Sequence, residues 1–306
     1  MIKFQAFIGC AAMLAAVAVS ADAQAQAQSQ SQSQSQDSSA AANTASSPDV
    51  NLTPRRLVFG PNDRGVKEIT VFNKTNATAT YTISLVDEAM TPDGALVPAD
   101  KAPDGEKAKL KSATPWVRFS PRQVTLGPQS AQTVRVQVRR PPDAAPGEYR
   151  THFSVSAVPP ADNGVDIAAA ATGAQSNTLQ VKLTPVYGIM IPIIVRNGDL
   201  PAQAGITDVR LVKGEARQGI QFDITRSGDR SVYGGIDIYL VGQGPEKKIA
   251  AIKGIGVYGE IGSRKVTLPI DPKAATIAPG SRVKIVYTDD ELNPGKVLAQ
   301  TEATLS

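Results

Sequence analysis

Few residues in this chain have the type and spacing that catalysis or metal binding requires. The 306-residue sequence has one histidine, His152, and one cysteine, Cys10, so no His/Cys group can complete a metal cluster. His152 lies in an alternating strand pattern between Arg150 and Ser154, which is typical of a structural histidine. No Gly-x-Ser-x-Gly turn is present to activate a serine nucleophile. The inventory predicts a protein that is not an enzyme, with no catalytic residue, no metal site and no small-molecule cofactor.

One acidic cluster, Asp289-Asp290-Glu291, has the residue types of a calcium site but directly precedes a Leu-Asn-Pro-Gly turn. Loops between strands commonly carry such charges, so we interpret the cluster as part of a turn. The 32 lysines and arginines are scattered among 28 aspartates and glutamates, and the net charge of +4 comes from no basic run. Nucleic-acid binding is therefore not expected.

The first residues have the three parts of a secretory signal peptide. Lys3 supplies the positive charge, residues 7–19 form an apolar core, and Ala21-Asp22-Ala23 or Ala23-Gln24-Ala25 provides a small-residue cleavage site. We therefore predict a cleaved signal peptide over residues 1–25 and an exported mature protein.

Cleavage there removes Cys10 and leaves a mature chain without cysteine, so the folded protein must be stable without a disulfide. Residues 26–48 form a Gln/Ser/Ala repeat with no aromatic residue and no aliphatic side chain larger than alanine, apart from the proline at its end. Such a segment has nothing to bury and is predicted to be a disordered tether.

From Val50 onward the sequence predicts strands separated by Gly, Pro, Asn and Asp turns, with no convincing helix. Residues 65–73 and 78–87 are separated by a short polar turn, which predicts a hairpin. The strand pattern predicts an all-β protein with an immunoglobulin-like sandwich at 49–196 and a second, smaller β-sandwich at 199–306. A short linker between two sandwiches should leave a cleft.

The segment from Ser176 to Arg196 predicts one long strand whose two halves differ in their pattern of apolar residues. In its first half Leu179, Val181 and Leu183 alternate with polar residues, whereas residues 189–195 are nearly all apolar. The apolar half has the composition of a strand that is buried on both faces. The alternating row faces either its own core or a partner, and the pattern alone favours its own core.

Four segments in order resemble the PapD-like periplasmic pilus chaperones: VNLTPRRLVFGPNDRGVKEITVFN, FSPRQVTLGPQSAQTVRVQVRRP, GEYRTHFSV and NTLQVKL. The resemblance implies two immunoglobulin-like sandwiches joined at an angle and a periplasmic location. It also implies a function in pilus (fimbrium) assembly and cell wall organization. Such chaperones donate a β-strand to pilin subunits that lack their own final strand, and then deliver them to an outer-membrane usher.

The resemblance also implies roles for individual residues. The subunit-binding residues of the donor strand would be Asn177, Leu179, Val181 and Leu183. Arg56 matches the cleft arginine that anchors the C-terminal carboxylate of the subunit; without the resemblance it would be a solvated strand arginine beside Arg55.

Two departures mark a divergent branch. Gly188 stands where the family has a second cleft cation. The loop at 157–175 is longer than in the short-loop chaperones of the family. The mature chain also lacks the cysteine pair that long-loop members often carry near this loop. An alternative is a structural or surface β-sandwich protein without chaperone activity. A hydrolase or carbohydrate binder would need clustered acids or a tryptophan row, and the chain has only Trp116. Self-association of the free protein stays open.

Overall fold

The computed structural model describes residues 50–159, 187–214, 217–242, 244–271, 273 and 277–305. The predicted signal peptide and tether lie outside these ranges and stay predictions. So do the predicted donor residues Asn177, Leu179, Val181 and Leu183. Within the described ranges, no helix has the length and apolar character needed to cross a bilayer.

Strands dominate the described chain up to residue 197. In chain order they are β1 (Val50–Thr53), β2 (Leu57–Phe59), β3 (Val66–Asn73), β4 (Ala79–Val86), β5 (Glu88–Met90), β6 (Leu96–Pro98), β7 (Val117–Ser120), β8 (Gln123–Leu126), β9 (Ala131–Val138), β10 (Gly147–Ala157) and β11 (Gly188–Asn197). One sheet has the order β1-β3-β9-β7 and the facing sheet β2-β11-β10-β4-β8, while β5 and β6 pair as a separate hairpin. The two sheets form the predicted first sandwich.

Alternating side chains build the core of this sandwich. Val134, Val136 and Val138 of β9 point inward and are buried, while Arg135 between them is exposed. Burying each aliphatic side chain stabilises the fold by about 1.5–3 kcal/mol, so the period-two pattern fixes which face of the strand is inside.

The predicted hairpin between β3 and β4 is wrong, because the two strands belong to opposite sheets. The turn between them is an arch that crosses the sandwich around the buried Asn73. The Asn73 amide nitrogen donates to the carbonyls of Ala77, Leu126 and Gly127, and its amide oxygen accepts from the Thr75 backbone N–H and the Tyr81 hydroxyl. A single buried side chain thus ties the arch to the end of β8 and satisfies buried backbone carbonyls there.

Three elements have no counterpart in the sequence-based prediction: a short α-helix, a single 3-10 turn at Thr114–Trp116 and the β5–β6 hairpin. Helix α1 (Asp104–Lys109) is six residues long and buries none of them, so it leaves no apolar periodicity in the sequence. The β5–β6 hairpin has strands of only three residues each, joined through a Pro-Asp-Gly sequence at 92–94 in which Gly94 has a φ of +85°.

The second sandwich, predicted at 199–306, contains seven strands. They are β12 (Ala202–Lys213), β13 (Gln218–Gly228), β14 (Val232–Val241), β15 (Lys247–Val257), β16 (Ser263–Pro269), β17 (Arg282–Asp289) and β18 (Val297–Thr304). Its sheets have the orders β12-β13-β16 and β15-β14-β17-β18. Phe222, Ile236, Ile285 and Tyr287 are buried between them. The all-β, two-sandwich fold is confirmed, while the exact division at 196 and 199 stays a prediction.

Strand β11 belongs to both cores, as its nearly continuous apolar half predicts. Ile191, Ile193 and Val195 lie in the core of the first sandwich, whereas Ile194, on the other face, belongs to the core of the second. The outer face of the β2-β11-β10-β4-β8 sheet therefore lies against the second sandwich near the end of β11.

Candidate functional site

The first half of β11 is an open sheet edge. On one side β10 pairs with β11 from Gly188 to Asn197, but on the other side β2 pairs only with Ile193–Val195. Among the described strands, none pairs with the other side of β11 between Gly188 and Pro192.

Backbone groups along this edge have no strand partner within the described part of the chain. The Ala157 N–H donates to the Tyr187 carbonyl at 3.0 Å. Since hydrogen bonding alternates along an antiparallel pair, the backbone N–H and C=O groups of Gly188 and Met190 point away from β10. Pro192 has no N–H, so the row of outward donors ends where β2 begins.

Apolar side chains accompany the free backbone. Tyr187 is 38% exposed and Met190 41%, while the neighbouring Ile191 is buried in the core. An edge strand with exposed apolar side chains and no protecting charge is suited to strand addition by a partner. Leu183, the last predicted donor residue, precedes Tyr187 by only four positions, so the predicted donor row continues along the chain into this edge.

Gly188, where the family pattern has a second cleft cation, lies in a tight position beside β10. A Cβ atom here would lie 3.0 Å from the Ser156 hydroxyl oxygen and 3.2 Å from the Val155 carbonyl oxygen. A larger residue at 188 would therefore need the Ser156 side chain to turn and the Val155 carbonyl to shift by a few tenths of an ångström.

Arg56 lies between the two sandwiches rather than in solvent. Its side chain is only 8% exposed, and Nη2 donates to Glu291 Oε2 at 2.7 Å and to the Ser231 hydroxyl at 3.3 Å. Its guanidinium carbon also lies 4.3 Å from the centroid of the Tyr233 ring. Arg55, the preceding residue, is exposed. The predicted carboxylate anchor is thus a buried arginine that already binds a carboxylate, and its role toward a subunit stays a prediction.

A second arginine, Arg196 at the end of β11, binds the same glutamate. Arg196 Nη1 lies 2.6 Å from Glu291 Oε1, and Arg196 Nε donates to Glu148 Oε2 at 2.9 Å. Glu148 Oε1 in turn accepts the Ser231 backbone N–H at 3.0 Å. Burial alone would lower the pKa of Arg196, but the carboxylates of Glu148 and Glu291 outweigh it and raise that pKa. We refer to Arg56, Arg196, Glu148 and Glu291 as the arginine cluster.

Next to the arginine cluster is a separate buried ion pair, between Arg150 of β10 and Glu260 of the second sandwich. Arg150 Nη1 donates to Glu260 Oε2 at 3.0 Å, and Nη2 donates to the Glu88 carbonyl at 2.7 Å. Glu260 Oε1 accepts the Met90 N–H at 2.7 Å. Arg150 also stacks 3.8 Å from the centre of the Tyr258 ring, and burial raises the pKa of that phenol. The β5–β6 hairpin and β10 are thereby tied to the second sandwich.

His152 is fully buried on the same outer face of β10, with its ring 6.5 Å from that of Tyr258. Burial, and after it the positive charge of Arg150, lowers the pKa of His152 to about 3. The imidazole is therefore neutral at physiological pH, in agreement with the structural role expected from the sequence.

The acidic cluster at 289–291 is a turn, as expected, but only Asp290 of its three residues is exposed. The Asp289 carboxylate accepts the backbone N–H groups of Glu291, Leu292 and Asn293, which fixes the turn that presents Glu291 to the arginines. Across the described chain, no group of three or more His, Cys, Asp or Glu side chains has the arrangement to hold a metal ion.

A cavity of about 850 Å³ lies beside the arginine cluster at the linker between the sandwiches. Its walls are largely apolar, with Val58, Leu200 and Leu292 among them, and Arg196, Glu291 and Arg230 also contribute. Such a size is typical of ligand sites, and it leaves space next to Glu291.

No protein-family model and no curated relative matches the chain. Solved structures to which it is similar include the YadV chaperone, with 12% identity over 84% of this chain and 100% of that chain and a TM-score of 0.40. The Pseudomonas aeruginosa CupB2 chaperone has 11% identity, the same coverages and a TM-score of 0.41. The SafB chaperone with the SafA pilin from Salmonella enterica has 12% identity over 85% and 98%, with a TM-score of 0.38. Because these TM-scores lie below 0.5, the function proposed below rests on this chain's own residues.

Sequence reasoning identified Arg56 but missed Arg196, Glu148 and Glu291 as its neighbours. Glu148 and Arg196 are directly opposite each other in the β10–β11 register, so assuming that these two strands pair would have brought them together. Glu291 is separated from Arg56 by 235 positions, and its spacing gives no signal of the contact.

Proposed function

We propose that this protein is a periplasmic chaperone that binds pilin subunits by adding a β-strand to them and delivers them to an outer-membrane usher. The observation that carries the proposal is the open edge of β11, which begins directly after the predicted donor row and exposes Tyr187 and Met190. A subunit that lacks one strand has unpaired sheet edges and an exposed apolar groove, which a strand added by a partner would cover.

The predicted donor row supplies the affinity in this mechanism. Backbone hydrogen bonds would satisfy the unpaired sheet edges of the subunit, while Leu179, Val181 and Leu183 would fill its groove. Full burial of the three side chains would contribute about 5–9 kcal/mol before the cost of ordering the segment is subtracted.

The test introduces one negative charge on either face of the predicted donor strand. Val181→Glu should abolish co-purification with a co-expressed pilin subunit that lacks its final strand, because a carboxylate would have to enter an apolar groove. Gln180→Glu adds the same charge on the opposite face and should leave co-purification nearly unchanged. Both variants should keep the urea-unfolding midpoint of the free wild-type protein.

Two results would contradict this proposal. If Val181→Glu itself unfolds, Val181 belongs to the protein's own core. If wild-type protein and both variants fail equally to retain a subunit, the alternative of a structural or surface β-sandwich protein replaces the chaperone function.

A further inference from the structure

A single carboxylate, that of Glu291, bridges both arginines of the arginine cluster. Its two oxygens lie 2.7 Å from Arg56 Nη2 and 2.6 Å from Arg196 Nη1. The two arginines come from the first sandwich and Glu291 from the turn before β18 of the second. This is the arrangement in which two cations bind an external carboxylate, except that the carboxylate belongs to the chain itself.

Arg56 has donors left over. Its Nε and Nη1 atoms are buried and have no hydrogen-bond partner among the residues that the structure describes. A guanidinium offers five N–H donors, and binding through one nitrogen leaves most of this capacity unused. Glu291 therefore holds Arg56 through one contact where a better-placed carboxylate could form two.

We infer that Glu291 is an internal competitor that occupies the carboxylate site of the free protein and must leave when the C-terminal carboxylate of a subunit enters. The inference rests on the proposed chaperone function and extends it to the regulation of the same site. The exchange replaces one carboxylate by another between the same two arginines.

The surroundings of Glu291 permit this exchange. Asp289 holds the turn backbone through three N–H groups, so only the Glu291 side chain has to rotate. The adjoining cavity of about 850 Å³ gives the side chain room to do so. Arg230 also lines the cavity. It donates through Nε to the Leu200 carbonyl and through Nη1 to the Ser231 carbonyl, which leaves Nη2 for the released carboxylate.

Internal competition lowers the apparent affinity for an external carboxylate. A tethered group competes at an effective concentration on the order of millimolar or above, and the observed affinity falls in proportion to the fraction of molecules whose site is open. Removing the competitor should therefore strengthen carboxylate binding without adding any contact.

The experiment uses N-acetylglycine as a terminal-carboxylate probe and N-acetylglycinamide as its neutral counterpart. Titrations of the ¹⁵N-labelled full-length mature protein follow the arginine Nε–H signals, with Arg56 assigned from the spectrum of Arg56→Lys. Glu291→Gln should bind N-acetylglycine at least tenfold more tightly than wild type does, and N-acetylglycinamide should bind neither protein. Asp290→Asn, on the same turn but exposed, should behave as wild type.

Glu291→Asp is a second variant that keeps the charge but shortens the side chain, so that its carboxylate no longer reaches both arginines. Glu291→Asp should bind N-acetylglycine with an affinity between those of wild type and Glu291→Gln. If Glu291→Gln does not fold, the comparison of Glu291→Asp with wild type is the test of the inference. Equal N-acetylglycine affinity in wild type and in the folded Glu291 variants would overturn the inference. Because this measurement needs no subunit, that outcome would leave strand donation untouched, whereas failure of the wild-type protein to retain a subunit would overturn the chaperone function itself.

Discussion

Replacing Arg150 by methionine should destabilise the contact between the sandwiches far more than breaking a surface ion pair does. The Arg150 and Glu260 side chains are 4% and 2% exposed, and two guanidinium nitrogens bind the two carboxylate oxygens. Without Arg150, the buried Glu260 carboxylate keeps the Met90 N–H as its partner at 2.7 Å. Methionine preserves much of the volume against the Tyr258 ring, so the lost charge is the main change.

The expected loss in the free energy of unfolding comes from the Glu260 carboxylate, which stays buried without its partner. Removing one partner of a buried, hydrogen-bonded ion pair costs about 3–5 kcal/mol, because the remaining charge keeps its desolvation penalty. Loss of the stacking on Tyr258, at 3.8 Å from the ring centre, adds about 1 kcal/mol. The Arg282–Glu302 pair, with side chains 60% and 49% exposed, is the matched control, and Arg282→Met should cost at most about 1 kcal/mol.

Urea unfolding of the free mature protein, followed by Trp116 fluorescence and by circular dichroism, measures both changes. Trp116 is the chain's only tryptophan, and its ring lies 4.0 Å from that of Tyr149, the residue before Arg150. Adding Glu260→Gln to Arg150→Met removes the stranded charge and should restore much of the loss. The reasoning is refuted if Arg150→Met and Arg282→Met cost the same, or if the double variant is no more stable than Arg150→Met.

Two further predictions concern binding and pH. Arg56→Ala should weaken binding of a pilin subunit by several tens-fold or more in a titration, because a terminal carboxylate left without its partner costs about 2–5 kcal/mol. Arg55→Ala, at the exposed neighbouring position, should change the affinity little. Equal losses of affinity in the two variants would mean that the carboxylate binds elsewhere. The pKa of His152 is lowered to about 3, so between pH 6.5 and 3 the unfolded chain binds a proton that the folded chain does not. The free energy of unfolding should therefore decrease as the pH is lowered through this window, by about 2 kcal/mol at pH 5. Urea unfolding at pH 7.5 and 5.0 measures this difference, and His152→Gln should lack it.

Local patterns in the sequence predict the strands well because burial on one face imposes a period of two. The alternation of buried and less buried residues in β9, β14 and β17 follows from this rule. Strand pairing is less accessible, since a short polar turn is compatible with a hairpin and with an arch. The buried amide of Asn73 selects the arch, and its partners at Leu126 and Gly127 are more than 50 positions away.

The candidate site likewise combines features that the local sequence predicts with contacts that it does not. Arg56 follows from a motif, and the buried second half of β11 follows from a run of apolar residues; both signals are local, whereas the open edge at Gly188–Pro192 was not predicted. The bridging of Arg56 and Arg196 by Glu291 depends on how two sandwiches meet, and no spacing in the chain encodes it. The sequence did indicate that the cluster at 289–291 forms a turn, yet the identity of its partners required the folded chain.

The charged contact between the sandwiches bears directly on how a subunit could be anchored. Bringing a new carboxylate into a buried site normally requires the arginines to lose water, which costs several kcal/mol for each ion. In the arginine cluster that desolvation is already complete in the free protein, because Glu291 keeps Arg56 and Arg196 buried and paired. In the exchange that we propose, an incoming terminal carboxylate would have to lose only its own hydration, while the released Glu291 would regain hydration in the adjoining cavity. The number of buried charges would stay constant, so neither binding nor release of the carboxylate would carry a large electrostatic cost.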